Sequence, residues 1–228
     1  MFLKNESLEL LCEEIPKFPI DWDDLDRGME IAIPGRNLNG KSKGSLINKF
    51  VGIYGERHIG YCLEKVDGIL ELNIDFNTKD SILFKHPYYL KRVGYNWIAI
   101  SGGKEKAEYD QFIYVDSLPV IIEVKMSVWR HWSDEAFPKS KPKKSSIEGG
   151  LHKFIYGDSL KVVRAVLGRD MGCAFVIPKD VYKDQEQNPD GIYAAFKREG
   201  GLFIPFPYER HSFREEVSRR ISRVCRNY

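Results

Sequence analysis

The chain has 228 residues, of which 43% are hydrophobic, 13% aromatic and 30% charged. These proportions exclude an intrinsically disordered chain and are typical of a globular protein with one large domain or one domain with additions. The formal net charge of +2 produces no global basic field, so any binding of nucleic acid must depend on local charge.

The sequence contains no run of about 18 apolar residues, so we expect no membrane-spanning segment and no membrane partner. The N-terminal sequence MFLKNESLELL lacks the basic-then-apolar order of a signal peptide. The four cysteines (Cys12, Cys62, Cys173 and Cys225) show no CxxC spacing, which indicates reduced thiols and argues against a zinc site. We therefore expect a cytoplasmic protein.

The first 44 residues predict an N-terminal extension packed on the rest of the protein. A helix is predicted over residues 1–15, because Leu8, Leu11 and Ile15 share one helical face. Residues 29–34 (MEIAIP) alternate between apolar and polar side chains in the manner of a strand.

Residues 35–42 (GRNLNGKS) match the phosphate-binding pattern G-x-x-x-x-G-K-[ST]. In this interpretation backbone N–H groups hold the phosphates of a nucleotide, Lys41 reaches the terminal ones, and Asp116 supplies a Walker B carboxylate. A glycine follows Lys43, where the helix of a P-loop would already be running, and glycine costs about 1 kcal/mol there relative to alanine. The alternative is a basic loop that carries Arg36, Lys41 and Lys43, and the sequence leaves both interpretations open.

A long helix is predicted from Ser45, a suitable N-cap, to about Val66, because apolar residues recur at helical spacing. Glu56 lies in the middle of this helix, where a glutamate is most often solvated. Gly55 and Gly60 indicate instead a close approach of other backbone.

Three short apolar segments predict strands at residues 69–76, 81–84 and 93–100. A turn is expected over residues 101–106 (SGGKEK). Residues 108–125 (EYDQFIYVDSLPVIIEVK) form two alternating segments, which predict an antiparallel hairpin with Asp116 in its turn.

Glu123 and Lys125 are two residues apart on a β-branched run, so a strand would place both on one face. Antiparallel pairing would bring the Asp110 carboxylate beside them. Hard carboxylate oxygens suit Mg²⁺ or Mn²⁺, with Asp110 and Glu123 as ligands and the Val124 carbonyl as a further one. Lys125 would stabilise developing negative charge, and Glu56 would complete the metal shell or hold a water. The alternative is an ordinary charge pair on an exposed strand.

A second helix is predicted over residues 147–167 and a buried strand over residues 173–178 (CAFVIP). Residues 179–191 predict a polar loop, and residues 192–206 a hairpin around two glycines. A basic amphipathic helix is expected from residue 208 to the end.

Basic side chains in several segments are candidate contacts with the phosphates of a nucleic acid. One group lies in a Lys/Pro/Ser-rich segment that is otherwise typical of a solvated loop. The histidines at positions 58, 131 and 152 are interpreted as phosphate-contacting or surface residues. The candidate nucleic-acid contacts are Arg36, Lys41, Lys43, Lys139, Lys141, Lys143, Lys144, Lys153 and Tyr156.

The Asp110 and Glu123-Val124-Lys125 pattern resembles the PD-(D/E)XK superfamily, the restriction-endonuclease-like nucleases. The likeness covers roughly residues 45–178 and extends to archaeal Holliday-junction resolvase-like and uncharacterised endonuclease-like families. Tyr109 stands where the literal motif has proline, and His152 replaces the glutamine of a Gln-x-x-x-Tyr motif that some members carry. The resemblance implies that Glu56 is the helix carboxylate of the site.

The resemblance further implies an α/β fold with a central mixed sheet flanked by helices in the order αβββαβ, with N- and C-terminal additions. The predicted organisation is an extension at 1–44, a nuclease-like core at 45–178 and a hairpin with a basic helix at 179–228, in one compact domain. The expected function is Mg²⁺- or Mn²⁺-dependent endonucleolytic hydrolysis of DNA in repair, recombination or defence. RNA as substrate, a homodimer and a catalytically silent nucleic-acid-binding module remain open, as does the nucleotide-binding P-loop.

Overall fold

The computed structural model describes residues 1–23, 25–27, 43–70, 74–75, 83–85, 88–93, 96–126, 147–168, 170–187 and 191–224. The strand predicted at 29–34 and the P-loop-like segment at 35–42 lie outside these residues, as does the Lys/Pro/Ser-rich segment. None of the helices in the described ranges is long and apolar enough to cross a membrane.

Among the described elements, two helices are followed by seven consecutive strands, and helices flank each of the last two strands. The helices are α1 (Glu6–Glu14), α2 (Lys43–Leu70), α3 (Ile147–Tyr156), α4 (Asp158–Leu167), α5 (Lys179–Gln187), α6 (Ile192–Arg198) and α7 (Arg210–Val224), and a 3₁₀ turn covers Ile15–Lys17. The strands are β1 (Ile74–Asp75), β2 (Leu83–Lys85), β3 (Tyr88–Val93), β4 (Asn96–Ser101), β5 (Lys104–Tyr109), β6 (Gln111–Val115), β7 (Leu118–Val124), β8 (Gly172–Pro178) and β9 (Leu202–Phe206).

The strands form two sheets. A five-stranded mixed sheet has the order β1-β6-β7-β8-β9, and a four-stranded antiparallel sheet has the order β2-β3-β4-β5. In the mixed sheet, β1, β6 and β7 are antiparallel neighbours, whereas β7, β8 and β9 run parallel. The α/β class and the mixed sheet flanked by helices, expected from the sequence, are confirmed; the second sheet was not predicted.

The mixed sheet has a hydrophobic core on each face. Ile122 packs with the apolar sides of α1, α2 and α7 on one face, and Ile121 packs with α3, α4 and α6 on the other. Strands that are covered on both sides consist of nearly continuous apolar residues. This explains why β8 is buried at every position and why the sequence predicted it correctly.

Helix α2 is longer at both ends than the sequence indicated. It begins at Lys43, two residues before the predicted N-cap Ser45, and it continues to Leu70. The strand predicted at 69–76 is therefore wrong at its start, and within it Ile74–Asp75 pair with β6. The predicted helix over 147–167 is two helices, because Gly157 adopts an extended conformation as the N-cap of α4.

The C-terminal predictions need the largest correction. The polar loop expected at 179–191 contains helix α5, and the hairpin expected at 192–206 is helix α6 followed by strand β9. Gly200 has a φ of +89° directly after α6, so it ends a helix and does not turn a hairpin. Strand β9 then pairs with β8 in parallel, which a hairpin could not do.

Near the predicted site the local predictions hold. Strands β6 and β7 form the expected hairpin with Asp116 and Ser117 in the turn, both at positive φ. The predicted turn at 101–106 is confined to Gly102 and Gly103, since β5 begins at Lys104.

Candidate functional site

The candidate site lies at the end of the β6–β7 hairpin that is opposite to its turn. Gln111 pairs with Ile122, so Asp110, one residue before β6, reaches the end of β7 where Glu123 lies. Asp110 is also the single residue between β5 and β6, at which the chain passes from the four-stranded to the five-stranded sheet. The sheet topology therefore fixes the separation of these two carboxylates.

Asp110, Glu123 and Lys125 form one ion-paired group, as the sequence predicted. The Lys125 Nζ lies 2.6 Å from Oε2 of Glu123 and 3.2 Å from Oδ2 of Asp110. The residues Asp110 and Glu123 are 7% and 5% exposed, whereas the Lys125 side chain is 32% exposed. The two carboxylates are thus nearly removed from solvent, and the ammonium group lies between them and the surface.

The backbone around Lys125 is held by strand β8. The Lys125 N–H donates a 2.9 Å hydrogen bond to the Val176 carbonyl, and Glu123 lies opposite Phe175 in the parallel register. Helix α3 passes over the lysine side chain at Gly150, where an added Cβ would lie 3.6 Å from Cδ and Cε of Lys125. At this distance the contact is an ordinary van der Waals one, so α3 packs against the aliphatic part of the Lys125 side chain.

Glu56 on α2 faces the same group. Burial raises the pKa of Glu56 to about 7, and the charge of Asp110 adds to this effect, while Lys125 lowers the pKa and Glu108 and Glu123 raise it. Glu56 is therefore close enough to share the electrostatic field of the site. Its carboxyl group exchanges its proton near neutral pH.

Helix α2 approaches the end of β7 most closely at Gly55. A Cβ added there would lie 2.5 Å from Cγ of Met126 and 3.2 Å from Cγ1 of Val124. Gly55 is thus a point of close approach, but its neighbours are side chains, whereas the sequence predicted other backbone. At Gly60 the nearest atom is Nε2 of Gln111 at 3.8 Å, which is an ordinary contact.

The two buried carboxylates meet the requirements of a divalent cation in their chemistry. Asp110 and Glu123 share one ammonium group, so the three side chains carry a formal charge of −1, and hard oxygen donors suit Mg²⁺ or Mn²⁺. Within the described ranges, no group of three or more His, Cys, Asp or Glu side chains is placed to hold a metal ion together. Asp110 and Glu123 thus form a pair of candidate metal ligands, and the carboxyl group of Glu56 lies near them without completing a three-carboxylate group.

His58 is the clearest error among the predicted side chains. It was expected to contact phosphate or solvent, but it is 1% exposed and lies on the core side of α2. Its ring lies 3.4 Å from Sγ of Cys62 and packs edge-on against Phe206. Burial lowers the pKa of His58 to about 4, so the ring is neutral at physiological pH.

The predicted nucleic-acid contacts are only partly within the described residues. Tyr156 is 64% exposed at the end of α3, with its ring centroid 5.0 Å from that of His152. Lys43 and Lys153 lie in α2 and α3, and the structure describes their backbone alone. The following predicted residues lie outside the described residues: Arg36, Lys41, His131, Lys139, Lys141, Lys143 and Lys144.

Asp116, the Walker B residue of the alternative interpretation, is an exposed turn residue that accepts a hydrogen bond from the Ser7 hydroxyl. Its φ of 48° is the left-handed conformation that aspartate tolerates better than most residues. The prediction that Asp116 is a turn residue is confirmed. It lies at the opposite end of the hairpin from Asp110.

No family model, curated protein or solved structure matches the chain. The resemblance to PD-(D/E)XK nucleases therefore stays a prediction from the sequence pattern. The geometry and the donor chemistry of Asp110, Glu123, Lys125 and Glu56 are the basis for inferring a function.

Proposed function

We propose that this protein is a divalent-metal-dependent nuclease that hydrolyses phosphodiester bonds in DNA. The observation that carries the proposal is the convergence of the buried Asp110 and Glu123 carboxylates on the Lys125 ammonium group at the end of a core strand. This arrangement combines two hard anionic ligands with a cation that can contact a phosphate.

The energetics of the group favour a functional explanation over a purely structural one. Burying an ion costs several kcal/mol, and Coulomb attraction to a partner offsets this only when the charges are matched. Here two carboxylates share one lysine, and Glu56 adds further negative charge when it ionises. Buried charges that interact at the end of a core strand are typical of sites that bind a cation or a substrate.

The order of elements around the group supports the finer fold proposal. Helix α2, strands β1, β6 and β7, the α3–α4 pair and strand β8 follow one another as α, βββ, α and β. This succession is the one that the resemblance to restriction-endonuclease-like proteins implies. In that scheme the sheet β2–β5 is an insertion between the first two core strands, and β9 extends the core at its edge.

Asp110 and Glu123 would hold Mg²⁺ or Mn²⁺, with the Val124 carbonyl as a further candidate ligand. The bound ion would polarise the scissile phosphate and lower the pKa of a water molecule. The role of Lys125 is to contact the negative charge that develops on the phosphate. With a pKa of about 7, the Glu56 carboxylate can accept the proton of a nearby water at neutral pH.

The substrate class follows from this chemistry and from the local basic segments. A metal-assisted attack on phosphate has no need to read base edges, so DNA is proposed as the substrate without sequence specificity, and RNA is an alternative for the assay. A cytoplasmic location and a homodimer that cuts both strands belong to the same proposal.

The test is a matched pair of aspartate variants assayed on labelled duplex, single-stranded and branched DNA, and on RNA, with Mg²⁺ or Mn²⁺. Asp110→Asn keeps an oxygen that can accept the Val124 N–H but removes the charge, and a loss of at least about 100-fold in cleavage is expected. Asp116→Asn makes the same chemical change at the exposed turn and should cleave like the parent.

Equal cleavage by Asp110→Asn and the parent would refute the proposal. If Asp116→Asn alone lost activity, the nucleotide-binding interpretation would be favoured. Salt-sensitive DNA binding without cleavage under either metal would indicate a catalytically silent binding module on the same fold.

A further inference from the structure

A cavity of about 450 Å³ lies where α3 gives way to α4, on residues that the ion-paired site does not use. Its walls include Ile155, Tyr156, Leu160, Lys161 and Arg164. Cavities that bind small molecules usually have about 300 to 1,000 Å³. The space is therefore larger than one small anion requires and suits a ligand of nucleotide size.

Arg164 is the unexplained group in this cavity. Its Nε and Nη2 atoms are buried and have no hydrogen-bond partner among the residues that the structure describes. The guanidinium group lies over the Phe2 ring, 5.1 Å from its centroid, which stabilises the cation but accepts no hydrogen bond. Because unpaired buried charged donors are costly, the position calls for an anionic acceptor.

The thiol of Cys173 does not supply that anion. Cys173 on β8 is close enough for its thiol to interact electrostatically with Arg164. However, burial and the charge of Glu123 hold the pKa of Cys173 well above its usual range, and Arg164 only opposes this shift. The thiol stays protonated and neutral at physiological pH. The thiol therefore does not neutralise Arg164 beside the cavity.

The other wall residues indicate what the anion is attached to. Lys161 is exposed and lies three residues before Arg164 on α4, so both cations are on neighbouring positions of one helix face. Tyr156 is 64% exposed and offers an aromatic surface, and Leu160 and Ile155 add apolar walls. Two cations next to an aromatic ring match a phosphate that carries a planar base.

We propose that this cavity binds a nucleotide through its phosphate, with Arg164 and Lys161 as the phosphate contacts and Tyr156 as the stacking surface for the base. The phosphate comes either from a free mononucleotide or from the 5′-phosphorylated end of a strand. The inference does not depend on cleavage at Asp110 and Glu123, because phosphate binding here requires no metal.

The experiment measures binding to the full chain by calorimetry in EDTA, with AMP, adenosine, and one short oligonucleotide bearing either a 5′-phosphate or a 5′-hydroxyl. AMP should bind at least about tenfold more tightly than adenosine, which is the usual effect of losing charge-assisted hydrogen bonds. A preference of similar size for the 5′-phosphorylated oligonucleotide identifies the strand end as the source. Binding of AMP with equal affinities for the two oligonucleotides identifies the free nucleotide.

Variants of the cavity-wall residues test whether AMP binds in this cavity. Lys161→Gln changes an exposed side chain and should weaken the binding of AMP about tenfold. Lys183→Gln makes the same change at another exposed position, on α5, and should leave AMP binding unchanged. Arg164→Met should abolish binding, with thermal melting used to verify that it folds. Equal affinities for AMP and adenosine, or for Lys161→Gln and Lys183→Gln, would overturn the proposal. Asp110→Asn should bind AMP like the parent, so the result of this experiment does not depend on whether the nuclease proposal is correct.

Discussion

The Val124 backbone N–H donates a 2.7 Å hydrogen bond to Oδ2 of Asp110, which lies fourteen residues earlier in the chain. The same oxygen lies 3.2 Å from the Lys125 ammonium group. The backbone of β7 thus orients the aspartate, and the lysine neutralises it. A substitution can therefore change the charge at Asp110 or Lys125 and leave the hydrogen bond from Val124 to Asp110 in place.

Removal of the Lys125 charge tests the electrostatics of the group without reference to any substrate. Burial lowers the pKa of Lys125, but Glu123 and Asp110 raise it by more, so the ammonium group is charged at every pH below its ordinary value of 10.5. Lys125→Met should lower the free energy of unfolding by about 2 kcal/mol at pH 8, a reduced figure because the side chain is partly exposed.

Urea unfolding at pH 8 measures this loss. Lys183→Met, at an exposed position of α5, controls for the general effect of removing a lysine. A loss for Lys125→Met no larger than that for Lys183→Met would contradict the assignment of Lys125 as the neutralising partner of two buried carboxylates.

Glu56 should make the protein less stable as the pH rises. Its pKa is raised from 4.5 to about 7, so the folded state holds the proton more tightly than the unfolded state. The stability contribution of the protonated form is therefore lost progressively between pH 4.5 and about 7. Glu56→Gln cannot ionise and should exceed the parent in stability by up to about 3 kcal/mol at pH 8, with little pH-dependent gain at pH 4.

Denaturant unfolding of the parent and of Glu56→Gln from pH 4 to pH 8 measures this difference in the free energy of unfolding. Glu64→Gln on the same helix, at an exposed position, controls for the loss of one formal negative charge. If Glu56→Gln and the parent differed by a constant amount across this range, Glu56 would not share the field of Asp110 and Glu123.

The site was predictable because its signals are local. Glu123 and Lys125 are two residues apart, and Asp110 is joined to them by one hairpin whose turn at Asp116 is visible in the sequence. The alternation of period two fixes which side chains share a face, so the pairing register follows from the turn. Only the close pair of carboxylates was recoverable this way, since the distance of Glu56 depends on how α2 packs against β7.

The parts that could not be predicted depend on contacts between distant segments. Helix α5 contains a single buried apolar residue in its described part, Val181, so its sequence resembles a solvated loop. The alternation around Gly200 and Gly201 suggested a hairpin, because nothing local reveals that β9 pairs with β8 in parallel. Parallel pairing is decided by the crossover and by the core on both faces of the sheet.

His58 should act in the direction opposite to Glu56. Burial lowers its pKa from 6.5 to about 4, so the unfolded state binds the proton more readily. The stability that the neutral ring contributes is complete above pH 6.5 and is lost as the pH falls towards 4. His58→Leu removes this titration, so between pH 6.5 and 4 it should lose up to about 3 kcal/mol less than the parent.

The measurement is urea unfolding from pH 4 to pH 8, with His211→Leu as the control at an exposed position of α7. Between pH 4.5 and 6.5 the effects of His58 and Glu56 partly cancel in the parent protein, and each single variant should reveal the other residue. Parallel stability curves for His58→Leu and the parent would show that the ring titrates alike in the folded and unfolded states.

Two glycines on helix α2 should respond to alanine with opposite signs. At Gly55 an added Cβ would lie 2.5 Å from Cγ of Met126, too close for the helix and the end of β7 to keep their positions. Gly55→Ala should therefore destabilise the protein by about 1 to 3 kcal/mol. At Gly60 the nearest atom is 3.8 Å away, so the higher helix propensity of alanine should stabilise the protein by about 0.5 to 1 kcal/mol.

Thermal and urea unfolding of the two variants decide between these outcomes, and each serves as the control for the other because both replace a glycine in the same helix. Gly55→Ala should also reduce cleavage, because the strain moves α2 away from Met126 and shifts the adjacent Glu56 from the carboxylate pair. A Gly55→Ala protein as stable as Gly60→Ala would show that Met126 yields freely, and that the distance between α2 and β7 is set by other contacts.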